Sequence, residues 1–172
     1  MEEYNVVYQH EAIEFVTVAK EFVRLLENAR NMSKDDFIDH SVKMLPLLYQ
    51  KGVMLPEITD YDEDFSEKFV DEATWSYIQQ TVSTRLDEDD EFVQVQDATM
   101  MSSMDSMSVG LSEIYADLYQ EMGDLVGAYR IANDDVMLVA LACCRTNFPD
   151  YWGIRLLSLL KALHEIKYRR DD

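Results

Sequence analysis

Leu111, Ile114, Tyr115, Leu118, Met122, Leu125, Val126 and Tyr129 follow one another at intervals of one, three and four residues. That spacing lines one side of an α-helix with apolar groups and leaves the other side polar. A chain that repeats the pattern folds by pressing such sides together. It does repeat. Between Asn5 and Ala29 the stripe is Ala12, Phe15, Val16, Ala19, Phe22, Val23 and Leu26. Ser33, with Asp36 three residues on, resembles a capping box and starts a second helix that should run to about Gln50. It would bury Phe37, Val42, Leu45, Leu48 and Tyr49, kink at Pro46 and end at Gly52.

Asp71 can cap a third helix over Glu72 to Leu86, with Val70 and Trp75 as a hydrophobic staple and Ile78, Val82 and Leu86 on the same face. The acids Asp87 to Glu91 oppose the dipole of that helix and should stop it. Phe92 to Val95 alternates, but four residues cannot make a sheet alone. The Met- and Ser-rich stretch 99–108 shows no helical period and reads as a mobile loop. Asp134 can cap a fifth helix from Asp135 to about Thr146. Pro149 marks a break, and a sixth helix should span Tyr151 to Tyr168 and bury Trp152, Leu156, Leu159, Leu160, Leu163 and Ile166. The expected fold class is all-α: a compact bundle of about six helices in a single domain over residues 1–172. The scarcity of Gly and Pro, five and three, agrees with this.

Charge constrains partners. The 172 residues carry a formal net charge of −19, which repels nucleic-acid phosphate and anionic membrane surfaces and favours basic proteins or cations. The acids concentrate in residues 57–97, where 14 stand against Lys68 and Arg85. The longest unbroken apolar run, Val136 to Cys144, is nine residues, far short of the ~20 that cross a bilayer. The opening Met1-Glu2-Glu3-Tyr4 lacks a basic start and an apolar run, so no secretory signal is expected and the reading is cytoplasmic. Cys143 and Cys144 are neighbours in an apolar run and read as reduced, buried thiols.

Short segments spread over nearly the whole chain carry a resemblance: Ile13 to Ala19, Leu45-Pro46-Leu47-Leu48-Tyr49, Ala116-Asp117-Leu118-Tyr119-Gln120, Tyr151-Trp152-Gly153 and Ala162-Leu163-His164. They resemble an all-helical bacterial family, mostly from Bacteroidetes-type bacteria, known as domain of unknown function 5063. The resemblance implies a helical fold and brings no catalytic residues with it.

Patterns that carry known chemistry are incomplete. Asp60-Tyr61-Asp62-Glu63-Asp64 begins like a calcium loop, but Phe65 stands where Gly is needed and Asp71 where Glu is needed. His10 and Glu14 share a helix face without a third ligand. The di-iron Glu-x-x-His pattern is absent, since Val7, Phe37 and Lys161 precede the three histidines by three residues. Gly110 to Ile114 lacks the second Gly of a nucleophile elbow, and no Gly-rich phosphate loop occurs. Met101, Met104 and Met107 offer thioethers of the type that Cu(I) prefers, within a stretch that reads as a loop. No catalytic, cofactor or metal residue is therefore nominated.

Two acidic features remain. Glu113, Asp117, Glu121 and Asp124 are spaced four, four and three apart, on one face of the fourth helix, with no basic residue between them. Like charges at that spacing destabilise an isolated helix by a few tenths of a kcal/mol per pair. The plain reading is a solvated face; the sharper ones are a docking stripe for a basic partner, or carboxylates shared with Arg or Lys of another helix. Asp87, Glu88, Asp89, Asp90 and Glu91 form the second feature. Gly123 and Gly127 on the same helix should let a neighbouring helix approach closely. The leading expectation is a non-enzymatic interaction module with a basic protein partner. The alternatives are a DNA mimic and a metal-dependent or small-molecule enzyme with a carboxylate site.

Overall fold

The periodic segments all become helices. The computed structural model describes residues 5–95 and 106–169. Its elements are α1 (His10–Glu27), α2 (Lys34–Val53), α3 (Glu72–Leu86), β1 (Phe92–Val95), β2 (Met107–Gly110), α4 (Leu111–Ile131), α5 (Asp134–Asn147) and α6 (Gly153–Lys167). The Ser33 hydroxyl accepts the Asp36 N–H at 3.1 Å, and the Asp71 carboxylate accepts the Thr74 N–H at 2.8 Å, so both helices start at their expected caps. α2 runs on through Pro46.

α4 is the hub. It packs on α1, α3, α5 and α6, while α2 lies against α1 and α6. Leu111, Ile114, Tyr115, Leu118 and Met122 of its stripe are fully buried, each removing enough apolar surface from water to stabilise the fold by about 2 kcal/mol. Its tyrosines also tie outward: Tyr119 donates to the Glu27 carboxylate and Tyr129 to the Val7 carbonyl, both at 2.9 Å. At one end of the bundle Tyr49, Phe148, Trp152 and Phe15 form a chain of ring contacts with successive centroid separations of 5.2, 4.5 and 5.9 Å. The buried Trp152 indole donates to the Cys144 carbonyl at 2.8 Å.

Several expectations are corrected. Phe92 to Val95 is a strand after all, because it finds an antiparallel partner in β2, with Phe92 opposite Gly110 and Val95 opposite Met107. Met107 and Ser108 therefore belong to a hairpin rather than to a loop. Residues 99–105 of the stretch, including Met101 and Met104, lie outside the described residues. Asn133, not Asp134, caps α5: its side chain accepts the N–H groups of Asp135 and Val136. Pro149 does not separate α5 from α6, since a π-helical turn over Phe148–Trp152 joins them. Gly52 is not the end of α2; a Cβ there would stand 2.7 Å from the Trp152 ring, so the glycine admits that ring.

The glycines of α4 also serve close approach, but of an extended segment instead of a helix. Residues 54–71 form a strap that crosses from α2 to α3 with only one 3-10 turn, Glu63–Phe65. A Cβ on Gly123 would lie 2.6 Å from Val70, and one on Gly127 would lie 2.4 Å from Phe69. Gly127→Ala should therefore lift the strap and cost about 1–3 kcal/mol, despite improving helix propensity. Urea unfolding measures this; a variant as stable as the parent would contradict the packing role.

Candidate functional site

The four carboxylates of α4 lie on one face, as their spacing requires, but the face is largely covered. All four residues are half-buried, and three of them meet a neighbouring element each. Asp124 accepts the backbone N–H groups of Phe69 and Val70 at 2.8 and 2.9 Å, with Lys68 3.6 Å away, and so anchors the strap. Asp117 accepts the Trp75 indole N–H of α3 at 3.0 Å. It also pairs at 3.5 Å with Arg155 of α6, which is itself buried and stacked 4.7 Å over the Tyr151 ring. Burial raises the pKa of Asp117, while the Trp75 bond and the Arg155 charge work against that shift. Glu121 accepts from the Asn147 amide of α5 at 3.3 Å. Glu113 sits in the first turn of α4, where a negative charge complements the helix dipole. Of the readings open to this stripe, sharing with a cation of another helix describes the Asp117–Arg155 pair.

The run Asp87 to Glu91 divides in two. Asp89 is buried between Lys34 and Arg169, at 2.5 and 2.8 Å. Burial alone would raise its pKa; the two cations outweigh burial and hold it below the usual carboxylate range. Asp90 accepts both the N–H and the hydroxyl of Ser112, at 2.9 and 2.8 Å. Gly110, the residue before α4, has no side chain to cap the helix, so Asp90 supplies the missing acceptor from outside it. Asp87, Glu88 and Glu91 are exposed.

Between the strap, α4 and α5 lies a cavity of ≈ 230 Å³. Ser66 and Lys68 reach it from the strap, Gln120 and Glu121 from α4, and Cys143 and Asn147 from α5. Burial pushes the Glu121 carboxyl up to about 7, with smaller upward contributions from Asp124 and Asp117; the Asn147 bond and Lys68 oppose them. A carboxyl poised there can hold or release a proton near neutrality. The Cys143 thiol is also pushed up, first by burial, so it stays protonated and is a weak nucleophile. Cys144 is buried and shifted further in the same direction. The cavity thus offers hydrogen-bond donors and acceptors, the Lys68 ammonium, the carboxylates of Glu67 and Asp124 and the titrating Glu121 carboxyl, an arrangement suited to holding a small polar molecule.

Elsewhere, His10 pairs with Glu14 at 2.6 Å and Lys51 joins the same carboxylate at 2.7 Å. Among the described residues no group of three or more His, Cys, Asp or Glu side chains is placed to hold a metal ion, the segment Asp60 to Asp64 included. No helix of the described chain is long and apolar enough to cross a membrane. Lys68, Asn147, Trp75 and Arg155 were not nominated from the sequence. The glycine pair on α4 was the one local sign that something lay close against its acidic face.

The raised Glu121 pKa has a defined consequence. A carboxyl titrating higher in the folded than in the unfolded chain favours folding while protonated. That contribution is complete below about pH 4.5, its ordinary value, and is lost as pH rises through 7. Glu121→Gln should melt with the parent at pH 4 but several degrees above it at pH 8, corresponding to about 1–2 kcal/mol. Calorimetry at the two pH values decides the point, and equal melting at pH 8 would contradict it.

Residues 6–169 match the family model described as Domain of unknown function (DUF5063). The fold is similar to the crystal structure of protein BF1032 from Bacteroides fragilis, at 32% identity and a TM-score of 0.85, over 96% of this chain and 98% of that one. No curated protein matches the chain significantly. With nearly its whole length matched, from the turn before α1 to the end of α6, the chain belongs to the DUF5063 family.

Proposed function

We propose that this protein is a cytoplasmic, non-enzymatic docking module whose strap receives a basic partner protein. The observation that carries the reading is the division of its acids. Those of α4, with Asp89 and Asp90, are spent on internal contacts, whereas Asp60, Asp62, Glu63, Asp64 and Glu67 of the strap are exposed around Phe65, which is 40% exposed. An exposed aromatic ring within a run of exposed acids matches the usual anatomy of an interface, an apolar anchor inside a polar rim. The strap is also fixed before any partner arrives: Arg145 donates to the Leu55 carbonyl at 3.1 Å, and Asp124 holds Phe69 and Val70. A preorganised surface loses little freedom on binding. The exposed Asp87, Glu88 and Glu91 extend the negative field that steers a cationic partner towards it.

A second reading is favoured by the cavity behind the same strap. Its titrating Glu121, Lys68 and Asn147 suit a small polar molecule bearing both a donor and an acceptor. Binding there would be felt by the strap that forms one wall.

Affinity capture from an extract of the source organism tests the first reading, with the chain compared to a variant carrying Asp60→Asn, Asp62→Asn, Glu63→Gln and Asp64→Asn. A basic protein should be retained by the parent, released as ionic strength rises from about 0.05 to 0.5 M, and bound at least about tenfold more weakly by the variant. Retention indifferent to salt and to the four substitutions would refute it.

A further inference from the structure

Two methionines and a histidine meet at a groove of ≈ 640 Å³ between the end of α1 and the first half of α2. Met44 stands one turn beyond His40 on α2, and Met32 directly precedes the Ser33 cap of that helix. Both methionines are half-buried and packed against the core, which fixes their stems at the groove. His40 is exposed, and its Nδ1 lies 2.7 Å from the Asp36 carbonyl oxygen. A carbonyl can only accept, so Nδ1 carries the hydrogen, and in the neutral ring Nε2 is left with its lone pair. Metal-ligating histidines are oriented in this way, with the other ring nitrogen donating to a carbonyl or a carboxylate. The remaining polar side chains of the groove are engaged: Arg24 with Glu21 at 3.4 Å, Glu27 with Tyr119 at 2.9 Å and Asn28 with Asn31 at 3.0 Å. His40 Nε2 has no such partner among the described residues.

We propose that Met32, His40 and Met44 bind a soft monovalent cation, Cu(I), through one imidazole nitrogen and two thioether sulfurs. The direction of helical side chains brings the three together. Such side chains lean towards the N-terminus of their helix. The Met44 thioether therefore leans towards His40, and the His40 ring, bonded back to Asp36, leans towards Met32. Methionine has three rotatable bonds, so both sulfurs can swing onto an ion held at Nε2. The donor set selects the ion. Thioethers suit Cu(I), whereas Ca²⁺ and Mg²⁺ demand oxygen ligands and Zn²⁺ takes thiolate, imidazole or carboxylate. The carboxylates that a harder ion would need do not gather with His40: among the described residues no three His, Cys, Asp or Glu side chains are placed to hold a metal. Charge permits a cation here, since Glu21 and Glu27 outnumber Arg24 in the groove and the whole chain carries −19.

Ag(I), a redox-inert ion with the charge and softness of Cu(I), is the probe. NMR of the intact chain, carrying methionine labelled at the methyl carbon and histidine labelled at the ring nitrogens, reads the site directly. Ag(I) should shift the Met32 and Met44 methyls and the His40 Nε2 signal together, and anaerobic Cu(I) should reproduce the pattern. Zn²⁺ at the same concentration should leave both methyls in place. Ag(I) taken up by Cys143 and Cys144 registers on α5 and leaves these three signals unmoved, so the two kinds of binding are counted separately. Met44→Leu keeps the volume and removes the sulfur, and His40→Gln replaces an exposed ring. Each should weaken Ag(I) binding at this site at least about tenfold, with unchanged circular dichroism. Methyls of Met32 and Met44 that stay in place at a several-fold excess of Ag(I), an equal response to Zn²⁺, or affinity retained by both variants would each overturn the proposal.

Discussion

A carboxylate that accepts backbone N–H groups restrains the chain itself rather than the tip of another side chain. Asp124 does this to Phe69 and Val70, and Asp90 does it to the first turn of α4. These two contacts fix the end of the strap and the start of α4. The strap contains one short turn and few backbone hydrogen bonds of its own, and α4 begins at a glycine that cannot cap it. Charge-assisted bonds from acid to amide are about twice as strong as neutral ones, so a chain rich in acids has a ready means of fixing its loops. The apolar stripes assemble the rods, and the inward carboxylates order what connects them.

The same contacts explain why so acidic a chain tolerates a row of four carboxylates on one helix. Each is compensated by a different element: Asp117 by Trp75 and Arg155, Glu121 by Asn147, Asp124 by the strap, and Glu113 by the helix terminus. Burial outweighs the partners of both Asp117 and Glu121, and Glu121 is the one that titrates near neutrality beside a cavity. Exposed acids cluster on the strap around Phe65, where the proposed docking surface lies.

The helical fold was legible because its cause is local. Stripes at three- and four-residue spacing, and the caps Ser33 and Asp71, act within a turn or two of chain. Asn133 was passed over because Asp134 beside it is an equally good cap by type, and only the backbone decides between them. The hairpin was hidden because β1 and β2 are each four residues long, and neither is a sheet until the other is placed. That the α4 carboxylates share a face could be read directly from their spacing. Their inward use could not, since Trp75, Arg155 and Asn147 lie 42, 38 and 26 positions from the acids they meet. The spacing of Gly123 and Gly127 marked the close approach without revealing that an extended strap makes it.

Amide hydrogen exchange resolved by NMR examines the inward carboxylates most directly. Phe69 and Val70 belong to neither helix nor strand, so their amides would ordinarily exchange at loop rates. If Asp124 anchors the strap, both should exchange about as slowly as the amides of α3, and Asp124→Ala should release both while the interior of α4 stays protected. Fast exchange of the two amides in the parent chain would contradict the account.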